Sequence, residues 1–511
     1  MRRREFLTSA ATGALTAELS SSRLTAGQRG VRPRANILFM IADDLTFRGI
    51  HTLNNPEVQT PNLDRLVRRG CSFTHAFHQG SWLPAVCVAS RTMLNSGLTA
   101  FRARKEVDRT PLWGQTFGEA GYDTFLIGKW HLDHACLERS FKETGPVSPG
   151  MFESGPSAYG RPAPGNTWTP WDTSLKGQWL HTSQWQCAAQ AQRVRRAPPS
   201  EAGTSSRRTP FCAGSLEDGI KHSARIWADG ACEYLLRPAR PHNPFFAYVG
   251  FNSPHDPRQA PKEFVDRYPQ HRIEVPPNYL PEHPFDQGDH RIRDELLAPF
   301  PRTRAAVQLH RSEYYAHTTY MDAQIGRILD ALEKSGQAGN TYIVFTADHG
   351  LAVGQHGLMG KQNMYDHSIR MPLLISGPGI PKGKIVDSLV YQHSLFATTC
   401  ELAGLPIPKT VGFPSLAGLL DGRGAEQHDA IFSYYRNFQR AVRTKEHKLI
   451  VYPQARMTQL FDVNHDPWEI VNLAGKPEHA ALERQLLSRL RRFQTELGDD
   501  LLPPVDATPP S

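Results

Sequence analysis

The chain has 511 residues, 39% of them hydrophobic and 21% charged, and its 58 lysines and arginines against 50 aspartates and glutamates leave a formal net charge of +8. That length buries a large core but is too long for one compact unit, so a main domain and a smaller one are expected. The mild positive excess favours anionic partners, and the lack of basic residues interleaved with aromatics excludes nucleic acid.

Residues 1–33 open on M-R-R-R-E-F-L-T-S-A-A-T-G-A-L-T-A, an arginine cluster before a short apolar segment, and continue as a Ser/Arg/Gly linker. This is the pattern of a twin-arginine export signal, which predicts an exported protein, periplasmic or extracellular. No later stretch reaches the roughly 18 apolar residues of a membrane-spanning helix, so no transmembrane anchor is expected. The seven cysteines are an odd number in a compartment that permits disulfides, so at least one is unpaired or modified, and Cys87 is the candidate.

From Ala35 to Ala42 the chain is continuously apolar, as a strand buried on both faces should be. The same reading places strands at Thr124–Ile127, Phe245–Phe251, Tyr342–Thr346 and Leu373–Ile375, with helices at Asn62–Arg69, Leu112–Ala120 and Tyr314–Lys334. Such alternation predicts an α/β fold with a large, mostly parallel sheet sandwiched by helices. The stretch around 141–214 is rich in Gly, Pro, Ser, Trp and Arg and lacks periodicity, which predicts a partly disordered surface insertion. After about Leu420 short strands at Ala430–Tyr435, Arg440–Arg443, Lys448–Tyr452 and Gln459–Asp462 precede a helix over Glu478–Leu497. Residues 34–412 thus read as the main domain, 413–500 as a small C-terminal antiparallel sheet with a packed helix, and 501–511 as a disordered tail.

Open sheets of this kind bind ligands beyond the carboxyl ends of their strands. There the chain places Asp43 and Asp44, then Lys129 and His131, then His255, then Asp348 and His349. Three carboxylates can crowd together only if a cation offsets their repulsion, and a hard divalent ion serves, Ca²⁺ tolerating irregular geometry better than Mg²⁺. Arg91, Lys129 and Lys361 add positive charge, and together these groups suit a tetrahedral oxyanion in phosphoryl or sulfuryl transfer. Cys87, in P-A-V-C-V-A-S-R-T-M-L-N-S-G-L, faces a helix start with Arg91 four residues on, and both features favour an anion or thiolate. The run Gly354–Gln362 has a G-K pair but the wrong spacing for a phosphate-binding loop, and Gln where Ser or Thr is needed.

These residues carry a resemblance. C-V-A-S-R-T-M-L-N-S-G and G-Y-D-T-F-L-I-G-K-W-H resemble the two signatures of the formylglycine-dependent type I sulfatases, of the alkaline phosphatase superfamily. The leading D-D, P-H-D-P, A-D-H-G and R-M-P-L-L-I-S-G-P-G follow in family order, and the segment from K-L-I-V-Y to E-I-V-N-L-A resembles the family's small C-terminal domain. Ala89 stands where Pro is commoner in the modification motif, and Ser96-Gly97 where Thr-Gly is usual.

The resemblance implies that a maturation enzyme converts Cys87 to formylglycine, whose hydrate attacks the sulfur of a sulfate ester. It implies a metal held by Asp43, Asp44, Asp348 and His349 together with the converted Cys87, which Arg91 also holds. Lys129 and Lys361 would neutralise the sulfate oxygens, His255 would protonate the departing alcohol, and His131 would assist the final release of sulfate. A sulfated sugar or polysaccharide is the implied substrate class. A phosphodiesterase or phosphonate hydrolase of the same superfamily, and a non-catalytic binder of sulfated glycans, are the alternatives.

Overall fold

The computed structural model describes residues 34–148, 150, 185–187, 220–238, 243–256, 258–298 and 300–501. The readings of an export leader, of most of the insertion and of a C-terminal tail lie outside the described residues.

The central strand β1 (Asn36–Asp43) is buried along its whole length. Its side chains alternate between two cores: Leu38, Met40 and Ala42 pack in one, Ile37, Phe39 and Ile41 in the other. Continuous hydrophobicity is what a strand covered on both faces requires. The other strands are β2 (Cys71–Phe77), β3 (Gly80–Ser81), β4 (Asp123–Lys129), β5 (Glu143–Ser148), β6 (Trp185–Cys187), β7 (Ile220–His222), β8 (Phe245–Pro254), β9 (Thr341–Ala347), β10 (Arg370–Ser376), β11 (Lys384–Val386), β12 (Val390–Tyr391), β13 (Ile431–Tyr435), β14 (Gln439–Arg443), β15 (His447–Tyr452) and β16 (Met457–Asp462).

The large sheet has nine strands in the order β11-β2-β10-β9-β1-β8-β4-β5, with β12 also on β2. From β9 to β5 every neighbour is parallel, whereas β10 runs antiparallel to both β9 and β2. Helices Arg304–Lys334, Ser223–Leu235 and Pro61–Arg69 cover one face, and Trp113–Glu119 and Leu395–Leu402 the other. The long helix starts ten residues before the periodicity predicts, because Thr303 caps it by accepting the Ala306 N–H.

Several strands escape the sequence reading, β5 and β2 of the large sheet among them. Strand β5 lies inside the predicted insertion, yet Glu143–Ser148 pairs in parallel with β4 at the sheet edge. Its E-T-G-P-V-S composition is poor for a central strand, and the edge tolerates it because only one neighbour must be bonded. Strand β2, C-S-F-T-H-A-F, carries polar residues at its centre that are only half-buried, which broke the apolar run.

The small sheet, β16-β15-β14-β13-β3, is antiparallel except that β13 takes β3 as a parallel partner, and helix Ala480–Leu497 packs on it. Arg34–Ser511 forms one compact unit. Strand β3 is drawn from the segment just before the Cys87 helix, so the C-terminal sheet sets the approach to that residue. Gly80 makes the pairing possible: its φ is +108°, and a Cβ there would stand 1.8 Å from the Tyr434 carbonyl oxygen. Gly80→Ala should therefore cost about 2 kcal/mol or more in stability. Urea unfolding checks this, and an unchanged midpoint would show that the junction is not tight.

Candidate active site

The four strands that end at the site are neighbours in the sheet, in the order β9-β1-β8-β4. Strand β1 stops at Asp43, and Asp44 turns into left-handed backbone with φ +70°. This break in the alternation sends two consecutive carboxylates toward one site. The Asp348 N–H donates to the Ala42 carbonyl, which carries β9 one residue further and fixes Asp348 beside Asp43. Lys129 is the last residue of β4, and His255 follows the end of β8.

Helix Val86–Ser96 closes the site from above the strand ends, with Cys87 in its first turn and Gly97 capping it at φ +65°. Cys87 is 3% exposed. It is one of five described cysteines, all thiols; Cys187 and Cys212 are not among those whose side chains are described. Arg91, one helical turn on, donates from Nε to Asp348 Oδ2 at 2.9 Å and from Nη1 to the Lys129 carbonyl at 2.8 Å. Ser90 and Gln392 both donate to the Asp348 carbonyl, at 2.6 and 2.9 Å.

Each buried carboxylate faces a buried cation: Asp43 pairs with Lys129, Asp44 with Lys361 at 2.8 Å, and Asp348 with Arg91. The pairing shows in the protonation equilibria. Burial would lower the Lys129 and Lys361 ammoniums, but Asp43 raises the first above its ordinary range, and Asp44 with Asp294 raises the second well above it. Burial pushes the Asp44 carboxyl well up, against the Lys361 charge, and Asp43 and Asp348 push it the same way. Asp348 is held low, since His349, Arg91 and Lys129 outweigh its burial.

Asp43, Cys87, Asp348 and His349 each offer a ligand atom, all within 4.8 Å of one another. Asp43 Oδ1, Asp44 Oδ2 and His349 Nε2 are buried without a hydrogen-bond partner. His349 Nδ1 donates to the Gly350 carbonyl at 3.0 Å, so Nε2 is the ring atom left to ligate. Unpartnered carboxylate oxygens beside a bare imidazole nitrogen fit a divalent cation. Asp44 stands one step aside: it groups with His255 and Asp256, because Lys361 holds Oδ1, and it approaches His349 Nδ1 to 3.3 Å.

His255 Nδ1 donates to the Asp256 carbonyl at 2.7 Å, and its Nε2 lies 3.8 Å from Asp44 Oδ2. Burial and then Lys361 hold this imidazole well below its ordinary range. His131 joins neither cluster. It follows β4 with φ +66°, its ring sits 2.4 Å from where a Gly150 Cβ would be, and burial followed by Lys129 drives it to about 2.

The sequence reading missed the support behind these groups. Asp294 accepts from Gln362 Nε2 at 2.8 Å and lies 3.8 Å from Lys361 Nζ, while Arg293 bridges Asp294 and Asp256. These residues sit in an irregular loop where R-I-R-D-E-L-L has no periodicity, and nothing local in the sequence signals a site. Ser90 lies inside the motif and was readable there; Gln392 was not.

A sulfatase family model matches residues 35–405, and a model described as N-sulphoglucosamine sulphohydrolase, C-terminal, matches 354–496. The chain is 26% identical to the ulvan-active sulfatase of Formosa agariphila, covering 93% of this chain and 84% of that one. It is likewise 26% identical to the N-acetylglucosamine-6-O-sulfatase of Bacteroides thetaiotaomicron, over 95% and 90% of the two chains. In fold it is similar to a protein solved with its substrate D-glucosamine-2-N,6-O-disulfate, with a TM-score of 0.68, 20% identity and coverage of 91% and 99%. With a match over more than two thirds of its length and a site of the matching chemistry, this chain belongs to the sulfatase family, the sulfuric ester hydrolases that generally work with a metal ion and a formylglycine.

Proposed function

We propose that the protein removes sulfate from a sulfated sugar, giving the alcohol and inorganic sulfate, at the site around Cys87. The observation that carries this reading is a thiol buried in the first turn of a helix, within ligand distance of Asp43, Asp348 and His349. The sugar class rests on relatives that act on ulvan and on N-acetylglucosamine 6-sulfate. The leader pattern in residues 1–33 supports export to the periplasm or beyond, and no helix among the described residues is long and apolar enough to cross a membrane. Residues 34–412 would form the catalytic part and 413–500 the small C-terminal part.

Asp43, Asp44, Asp348 and His349 would hold a divalent ion beside Cys87, Ca²⁺ in preference to Mg²⁺, which supplies positive charge to a sulfate oxygen. A formylglycine made from Cys87 by a maturation enzyme supplies, as its hydrate, the nucleophile. Arg91 is held at Nε and Nη1, and its buried Nη2 has no partner, so that N–H group is left to orient an oxyanion. Lys129 and Lys361 keep their protons against burial and bring two fixed charges to the sulfate, where such charges act most strongly on the transition state. The Nδ1–H of His255 is bonded to the Asp256 carbonyl, so Nε2 is the atom that carries a proton to the leaving oxygen. Burial is the first cause that keeps this imidazole neutral and the Lys361 charge the second, and an anionic ester beside Lys361 would offset the second. His131 stays neutral and is confined to hydrogen bonding during sulfate release.

Mass spectrometry of the peptide containing Cys87 should find the aldehyde, and Cys87→Ala should abolish ester hydrolysis with the thermal midpoint unchanged. Near-normal turnover by that folded variant would sink the reading. Chelation should inactivate the enzyme, Ca²⁺ should restore it, and Asp348→Ala should lose bound metal by elemental analysis; full activity in metal-free protein counts against the site. Lys129→Ala should lower turnover of every substrate by about 10²-fold or more. His255→Ala should nearly abolish turnover of a sugar sulfate yet spare much of that of an aryl sulfate with an acidic phenol, because a stable leaving anion needs little protonation. Equal losses on both substrates would remove His255 as the acid.

A further inference from the structure

Gln362 stands where a phosphate-binding loop needs Ser or Thr, and its side chain is put to a different use. It is 2% exposed, and its amide makes hydrogen bonds to three separate groups. Oε1 accepts from the Lys361 main-chain N–H at 3.0 Å. Nε2 donates to Asp294 Oδ2 at 2.8 Å and to the Pro84 carbonyl at 3.0 Å. One acceptor and two donors in a fixed plane are what a primary amide offers, and neither a carboxylate nor a hydroxyl supplies all three.

Each partner lies beside a group of the site. Asp294 Oδ2 stands 3.8 Å from Lys361 Nζ, which holds Asp44 Oδ1 at 2.8 Å. The Pro84 carbonyl also accepts from the Val86 N–H at 3.0 Å, at the start of the helix that carries Cys87. That helix has no side-chain cap, because its N-cap residue is Ala85. The loop before Gln362 is gripped residue by residue: Glu295, buried and paired to Arg302 at 2.7 Å, accepts from the Met359 N–H at 2.8 Å and the Gly360 N–H at 2.9 Å. Gln362 takes the next N–H, that of Lys361. The approach is so close that a Cβ on Gly360 would stand 2.5 Å from Gln362 Oε1. The Gln362 carbonyl accepts from Gln439 Nε2 on β14 at 3.1 Å, which ties the same residue to the C-terminal sheet.

We propose that Gln362 is a positioning residue for sulfate ester hydrolysis, its amide fixing Lys361 against the start of the Cys87 helix; the inference rests on the roles proposed above for Cys87 and Lys361. Pro84 and Gln362 stand 278 positions apart in the chain. Local backbone geometry therefore cannot set the spacing between the cation and the nucleophile, and a bridge between the two segments must.

The test compares the wild-type enzyme with Gln362→Met, Lys361→Ala and the double variant, on whichever of 4-nitrophenyl sulfate and N-acetylglucosamine 6-sulfate the wild type cleaves better. Methionine keeps the length of the side chain and makes none of its three bonds. Gln362→Met should lower kcat about tenfold or more while KM changes by less than about threefold, since small misplacements of a reacting group act on the chemical step. In the double variant the two losses should not multiply, because Gln362 acts through Lys361. Hydrogen exchange read by mass spectrometry should quicken in Gln362→Met both in the peptide containing Lys361 and in that containing Pro84 and Cys87, and stay unchanged in β1. A kcat within about twofold of the wild type would overturn the proposal, as would losses that multiply in full or exchange that is unchanged in either peptide. Faster exchange in β1 as well would make Gln362 a residue of the general fold and overturn it too. A wild type inactive on both esters would remove the catalytic reading, and this one with it.

Discussion

Three carboxylates share one buried site, and everything around them answers their repulsion. At a few ångströms in a medium less polarisable than water, like charges repel by several kcal/mol (~4 kcal/mol at 4 Å for an effective dielectric of 20). The strands deliver Asp43, Asp44 and Asp348 because parallel strands end together, and the compensating charges come from different elements. Lys129 ends a neighbouring strand, Arg91 descends from the Cys87 helix, and Lys361 arrives on a loop. Removing any one cation leaves a buried anion unpaired, an arrangement that typically costs about 3–5 kcal/mol.

The loop that carries Lys361 is anchored by a second buried set of charges. Just beyond it, Asp366 binds Lys448 at 2.6 Å and Arg443 at 3.2 Å, both on the C-terminal sheet, and Glu469 binds Lys448 at 2.5 Å and the Asp366 N–H at 2.8 Å. Burial alone would raise the Asp366 carboxyl, but Arg443 and Lys448 hold it well below its ordinary range. The small sheet therefore does more than cover a face: it positions Lys361 through this network and the approach to Cys87 through β3.

Legibility in the sequence followed burial and periodicity. Strand β1 was plain because a fully covered strand is apolar throughout, and the residues after the strand ends were found by the rule that ligands collect there. Asp43, Asp348 and His349 were readable for that reason, whereas Cys87, in the first turn of a helix, was legible through its motif. What stayed hidden depends on contacts across long separations. Asp294 supports Lys361 from 67 positions away, and Gln392 bonds Ser90 from 302. Strand β5 was mistaken for part of an insertion because an edge position tolerates the glycine and proline that usually mark a loop. His131 was read from its place after Lys129; its left-handed backbone sets the ring beside Gly150, where Lys129 and Asp43 still act on it.

The pairing of Gly80–Ser81 with Tyr434–Tyr435 also sets an order of events during synthesis. The strand that receives β3 is made some 350 residues after it, so for most of translation the segment leading to Cys87 has no sheet to join. In the finished fold the thiol is 3% exposed, so a modifying enzyme would need to reach it before the fold is complete. Because β13 comes from the C-terminal part of the polypeptide, the pairing that completes the approach to Cys87 is among the last that synthesis permits.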